Sequence, residues 1–239
     1  MKNTPIHLIT KIALGIVVIT AIVSCAPTEV GTHIALEAYV GDEPLVFGKQ
    51  YPSPNGDGTY MIIDFKFYIS NLKLTNDKDS TIYLEEDSYH LVKFSEDHIY
   101  SFELNDVNPA SFNKMSLSVG IDEEANLGTI IAGDLDPTNQ MAWNWTAGYK
   151  FLLLEGKYMP ESSGKTIPLV YHIGFSENRR DLTFDLAASN DIQLRIDINE
   201  LFQNPSIVDF NKFAEVLFNK TDANIVAENY GKSFIVINR

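Results

Sequence analysis

The chain has 239 residues, 32 acidic against 18 basic, and a formal net charge of −14 at pH 7. That balance argues against a nucleic-acid partner, whose phosphates demand basic surface. With one cysteine there is no internal disulfide, so the fold must rest on its hydrophobic core.

Lys2 and Lys11 give the N-terminus positive charge, and Ile12 to Val23 is an apolar run leading into Ser24-Cys25. It is shorter than the roughly 20 apolar residues of a comfortable transmembrane helix and reads as a targeting segment. An aliphatic residue, a small residue and then Cys resembles a bacterial lipobox. Residues 1–24 are therefore expected to be a lipoprotein signal peptide, Cys25 the lipidated residue and 25–31 a tether, with an uncleaved N-terminal anchor as the alternative. Ala26 after the cysteine suits onward sorting to an outer membrane, on its periplasmic face or at the cell surface. Cleavage removes Lys2 and Lys11 and no acid, so the mature chain is more acidic still. No linker, low-complexity stretch or repeat divides the remainder, and 32–239 is read as one domain.

Alternation of Ile34, Leu36, Ala38 and Val40 predicts a half-buried strand over His33 to Val40. The Pro52-Ser53-Pro54-Asn55-Gly56-Asp57-Gly58 cluster is a loop. Tyr60 to Leu74 is the longest β signal, with Met61, Ile63, Phe65, Phe67 and Ile69 alternating and Asn71 expected to end or bulge it. Short strands follow at Thr81–Leu84, Tyr89–Phe94, His98–Leu104 and Asn113–Ile121, then a long connection from Asp122 to Asp136. Tyr149–Leu154, Ile167–Gly174, Asp181–Leu186 and Ile192–Ile198 read as further strands. A helix is expected over Ser206 to Lys220 with Ser206 as N-cap, and Ser233 to Ile237 is a closing apolar run. Short strands without interleaved helices predict an all-β fold, an antiparallel β-sandwich of immunoglobulin-like or jelly-roll-like type, with a small C-terminal helix.

The stretch Gly133 to Gly156 carries both tryptophans of the chain, Trp143 and Trp145, between a turn at Asp136-Pro137-Thr138-Asn139 and the strand from Tyr149. A Trp-x-Trp pair on a strand puts both indoles on one face, either as large core aromatics or as an aromatic platform. The mature chain keeps His33, His90, His98 and His172, with no helical zinc spacing among them. His172 lies on the opposite strand face from Tyr171 and Ile173 and is followed by Gly174. It is a candidate ligand or a histidine hydrogen-bonded at a strand end. His90 begins a strand, and His33 and His98 read as surface residues. Asp122, Glu123, Glu124, Asn126, Asp134 and Asp136 are oxygen-rich but lack the Asp-x-Asp-x-Asp-Gly loop of a calcium site, and read as a solvated loop. Gly-x-Ser-x-Gly, P-loop and dinucleotide fingerprints are absent, and no acid and base pair is singled out for hydrolysis, so no enzyme activity is expected.

Phe67-Tyr68-Ile69-Ser70-Asn71-Leu72, Tyr89-His90-Leu91-Val92, Val119-Gly120-Ile121-Asp122, Met141-Ala142-Trp143-Asn144-Trp145 and Tyr171-His172-Ile173-Gly174 together resemble the MbnP-like copper-binding family across the mature domain. The resemblance implies an extracytoplasmic β-sandwich associated with copper uptake or handling. As in some members, it also implies a tryptophan oxidised to kynurenine by a partner di-haem peroxidase of the MauG-like type, its new amine joining histidines on copper. On this resemblance Trp143 is the candidate for modification and His172 the candidate imidazole, with His90 as a further ligand from a neighbouring strand. Trp145 stands where the copper-binding members carry a histidine. The other expectation is a binding or structural module that keeps the family fold without a metal site.

Overall fold

The computed structural model of the protein describes residues 31–94, 98–128, 132–144, 147–187 and 191–237. The expected signal peptide, Cys25 and Trp145 lie outside the described residues. In chain order the strands are β1 (Thr32–Val40), β2 (Glu43–Pro44), β3 (Tyr51–Pro52), β4 (Thr59–Thr75), β5 (Ile82–Leu84), β6 (Tyr89–Lys93), β7 (Ile99–Leu104), β8 (Lys114–Val119), β9 (Ala142–Asn144), β10 (Gly148–Met159), β11 (Ile167–Gly174), β12 (Arg180–Asp185), β13 (Asp191–Asp197), β14 (Glu215–Val216) and β15 (Phe234–Val236). The α-helices are α1 (Glu123–Leu127), α2 (Ile198–Gln203) and α3 (Lys220–Ser233).

Two sheets face each other as a sandwich. One runs β15-β13-β1-β2, with β7 also on β1. The other runs β12-β8-β4-β10-β11-β14, and β4 is its spine, carrying β3, β5 and β6 as well. Alternation along β4 and β10 sends Phe65, Phe67, Ile69, Leu152 and Leu154 between the sheets, against Ile34, Leu36 and Ala38 of β1. Each such fully buried side chain contributes roughly 1.5–3 kcal/mol by leaving water. As expected, Asn71 bulges β4, with positive φ and a register shift between Ser70 and Lys73.

Most pairings are antiparallel, but β1 with β13 and β11 with β14 run parallel. The helix expected over Ser206–Lys220 is not formed. Val208, Phe210 and Val216 are instead buried one by one along an irregular strap that carries β14, while Phe218 stays exposed. The C-terminal helix is α3, which starts at Lys220 because the Asn219 side chain accepts from the amides of Thr221 and Asp222.

A second, smaller core lies on the outer face of the β4 sheet. Tyr68, Leu91, Phe151 and Leu153 point away from the sandwich interior and are covered by Ile121, Ala125, Leu135 and Met141. The long connection between β8 and β9 therefore packs as a lid on that face. The lid leads into β9, which carries Trp143.

Candidate functional site

Polar anchors fasten the lid. The Asp134 carboxylate accepts the Leu91 amide at 2.7 Å, and the hydroxyls of Tyr68 and Tyr149 donate to the carbonyls of Asp134 and Leu135 at 2.8 and 2.6 Å. Farther on, the Lys150 amide bonds the Met141 carbonyl at 2.7 Å, starting the β9–β10 pairing. Asn126 holds the other side, its Oδ1 accepting the Tyr149 amide at 2.8 Å. Gly148 takes φ +76 there, and a Cβ would fall 2.3 Å from that Oδ1, so only glycine fits.

The carboxylates of the solvated-loop reading are thus partly spent on backbone: Asp122 caps α1 through the Ala125 amide, Asp134 takes Leu91, and Asp136 accepts from the Thr138 amide. Among the described residues, no group of three or more His, Cys, Asp or Glu side chains stands close enough to hold a metal ion.

Trp143, half-buried on β9, lies against the end of β11. A Cβ on Gly174 would come within 2.6 Å of its Cζ3, so the indole edge occupies the space a side chain would need. Phe175 and Phe218 lie 5.2 and 4.8 Å from the indole between ring centroids. A hollow of about 200 Å³ opens beside it, lined by Asn126, Gly128, Pro137, Ala142, Gly148 and Tyr149.

His172 sits opposite Leu153 in the β10–β11 ladder, and so on the outer face. Gly174, two residues on, points the same way, which puts His172 and the Trp143 edge on one face of one strand, roughly 7 Å apart along it. The His172 Nε2 is 2.8 Å from Oε1 of Glu155, and only 16% of the imidazole side chain is exposed. Burial pulls the His172 pKa down, with Lys150 adding to it against the opposing pull of Glu155. A neutral ring whose Nε2 faces a carboxylate carries its proton on Nε2, which leaves the Nδ1 lone pair as the donor nitrogen.

His90 is not part of this arrangement. It alternates with Tyr89 and Leu91, so it points to the interior side of the sheet, where it stacks on Phe102 of β7 at 3.9 Å and bonds Glu85 at 2.9 Å. The sheet itself separates it from His172. The sequence left its facing open; the β6–β4 register decides it.

The profile of the MbnP family matches residues 29–219. The chain belongs to the MbnP family. A solved structure of MbnP from Methylosinus trichosporium is similar at a TM-score of 0.55 and 15% sequence identity, covering 76% of this chain and 80% of that one. At that identity the likeness shows a shared fold. No curated protein matches the chain.

Tested against copper, the donor set fits in part. A neutral imidazole oriented by a carboxylate is a good copper ligand, whereas an indole nitrogen is a poor one. Glu155, Phe175 and Phe218 are the residues that sequence reasoning missed. Glu155 had a signal, as the lone acid following Phe151-Leu152-Leu153-Leu154. Phe218 falls within the helix expected over Ser206 to Lys220, and nothing in the sequence marks it as a neighbour of Trp143.

Proposed function

We propose that this MbnP-family chain is a lipid-anchored extracytoplasmic protein that handles copper as a binding protein, not an enzyme. In this reading Nδ1 of His172 is the imidazole donor and Glu155 orients it. Trp143 supplies a second nitrogen once a di-haem peroxidase has opened its indole to an aniline-type amine. The observation that carries the reading is that the indole edge of Trp143 packs over Gly174 on the face of β11 that carries His172, with Glu155 on the imidazole. Carboxylate, imidazole and metal in series is a recurrent metal-site arrangement. Copper titration of the mature protein against His172→Ala tests it, and equal, weak binding by both would sink it. The anchor is assigned to Cys25, and Cys25→Ser should leave the membrane fraction; continued membrane association would refute it.

One observation favours a second reading, a module that keeps the fold without a copper site. The described residues bring one histidine, and not two, to the face of Trp143. Half-buried Trp143 is then an aromatic surface beside the hollow. Failure of the copper titration in both its arms would favour this reading.

A further inference from the structure

We infer that Phe175 and Phe218 lower the cost of removing an electron from Trp143, because their rings stabilise the indole radical cation. The inference shares Trp143 with the proposed copper site, but it needs neither copper nor a partner protein.

Three features of the site carry it. Both phenylalanine rings lie within about 6 Å of the indole, the range over which an aromatic face attracts a cation; the centroids are 5.2 and 4.8 Å away at 37° and 34°. The rings are also held in place. Gly174 leaves no room for a side chain under the indole edge, and Phe175 adopts φ +69, which non-glycine residues rarely do and which clusters at functional sites. Finally, Phe218 is 59% exposed. Core burial does not account for a phenylalanine so open to water, and its ring contact is with Trp143. Lys220 lies 4.9 Å from the Phe175 ring and is paired with Glu177 at 2.7 Å, which offsets its charge.

Physically, the indole passes from neutral to cationic on losing an electron. A ring quadrupole presents its negative face to that charge. Trp143 is also half-buried beside an open hollow, so an outside oxidant can reach it.

The experiment uses the mature protein and a ruthenium(III) tris-bipyridine complex generated by light and persulfate. Trp143 gives one electron to ruthenium(III), which becomes ruthenium(II). The indole N–H proton passes to water, a second ruthenium(III) takes an electron from the neutral radical, and water adds to the resulting cation with loss of a proton, a net gain of one oxygen atom. Peptide mass mapping reads oxidation at residue 143 relative to Trp145 in the same molecules. Phe218→Leu should lower that ratio roughly three- to tenfold, the effect of losing one cation–π contact, and Phe218→Tyr should keep it. If Phe218 merely shielded Trp143, Phe218→Leu would raise the ratio. A rise or no change overturns the inference. Phe218 is exposed, so its loss leaves the core intact, and Phe175→Leu must shift the ratio in the same direction. Copper titration has no bearing on the outcome, so failure of the metal reading and failure of this one are told apart.

Discussion

His172 Nε2 and Glu155 Oε1 stand 2.8 Å apart between β11 and β10, with the indole edge of Trp143 two residues further along the same face. The carboxylate fixes the tautomer of a ring that burial keeps neutral. Glu155→Gln should therefore weaken copper binding about 10- to 100-fold, as loss of an orienting partner does. Competition with a chromogenic chelator measures it. Affinity equal to wild type would detach Glu155 from the site.

Gly174 is a second point of leverage. A methyl group there meets the Tyr149 carbonyl oxygen at 2.4 Å and Trp143 Cζ3 at 2.6 Å. The first obstacle is backbone and cannot rotate away, so β10, β11 or the indole must shift. Gly174→Ala should cost about 1–3 kcal/mol, the usual range for overpacking. It should also red-shift Trp143 emission, read in a Trp145→Phe background. A variant with unchanged melting and emission would show that the indole edge does not depend on this contact.

The sheets were legible because strand alternation is strong. Ile34, Leu36 and Ala38, and Phe65, Phe67 and Ile69, each name one buried face, and all lie in the main core, whereas Ile63, expected on the same face, is exposed because the β4–β10 register shifts between Glu155 and Gly156 and Tyr60 and Ile62 are buried instead. The C-terminal helix lies one segment later than expected for a physical reason: Ser206 to Lys220 offers an N-cap candidate and a partial apolar face, whereas the full apolar spacing of a helix, i, i+3, i+4 and i+7, is kept by Ala223, Val226, Ala227 and Tyr230, all buried in α3. The site was half-legible. His172 and Trp143 could be named, but which histidine shares a face with the indole depends on the registers of β6 on β4 and β11 on β10, and register is a property of paired strands rather than of either sequence.

The lid over the second core should respond to acid through Asp122. Its carboxylate accepts from the Tyr89 hydroxyl at 2.6 Å and from the Ala125 amide at 2.9 Å. Burial opposes ionisation, but those bonds and Arg179 outweigh it and hold the carboxyl below its ordinary range. A folded-state pKa below the unfolded one means that stabilisation is present above the unfolded value of about 3.9 and is lost as pH falls through the folded value. Asp122→Asn keeps an oxygen that can cap α1 and removes only the charge, so it should cost about 0.3–1 kcal/mol at neutral pH, the worth of a negative charge at a helix N-terminus. The difference from wild type should close as the pH is taken below about 3.9. Urea unfolding at both pH values decides; a gap that persists in acid would assign the effect to shape and not to charge.

Trp143 offers the most direct chemical readout. Opening an indole to kynurenine inserts two oxygen atoms across the C2–C3 bond, after which water removes the C2 carbon as formate, a net gain of about 4 Da. The oxidising equivalents come from hydrogen peroxide through the haem partner, which is reduced to water. Co-expression with a di-haem peroxidase should place that gain on the peptide containing Trp143, and Trp143→Phe should abolish it. The rings of Phe175 and Phe218 lie close enough to bias the first electron loss toward residue 143. The gain should therefore persist in Trp145→Phe. An unchanged intact mass would remove the oxidation step from the copper reading, and a gain that follows Trp145 would move it to the neighbouring residue. Only a gain confined to residue 143 leaves an amine on the face that His172 already occupies.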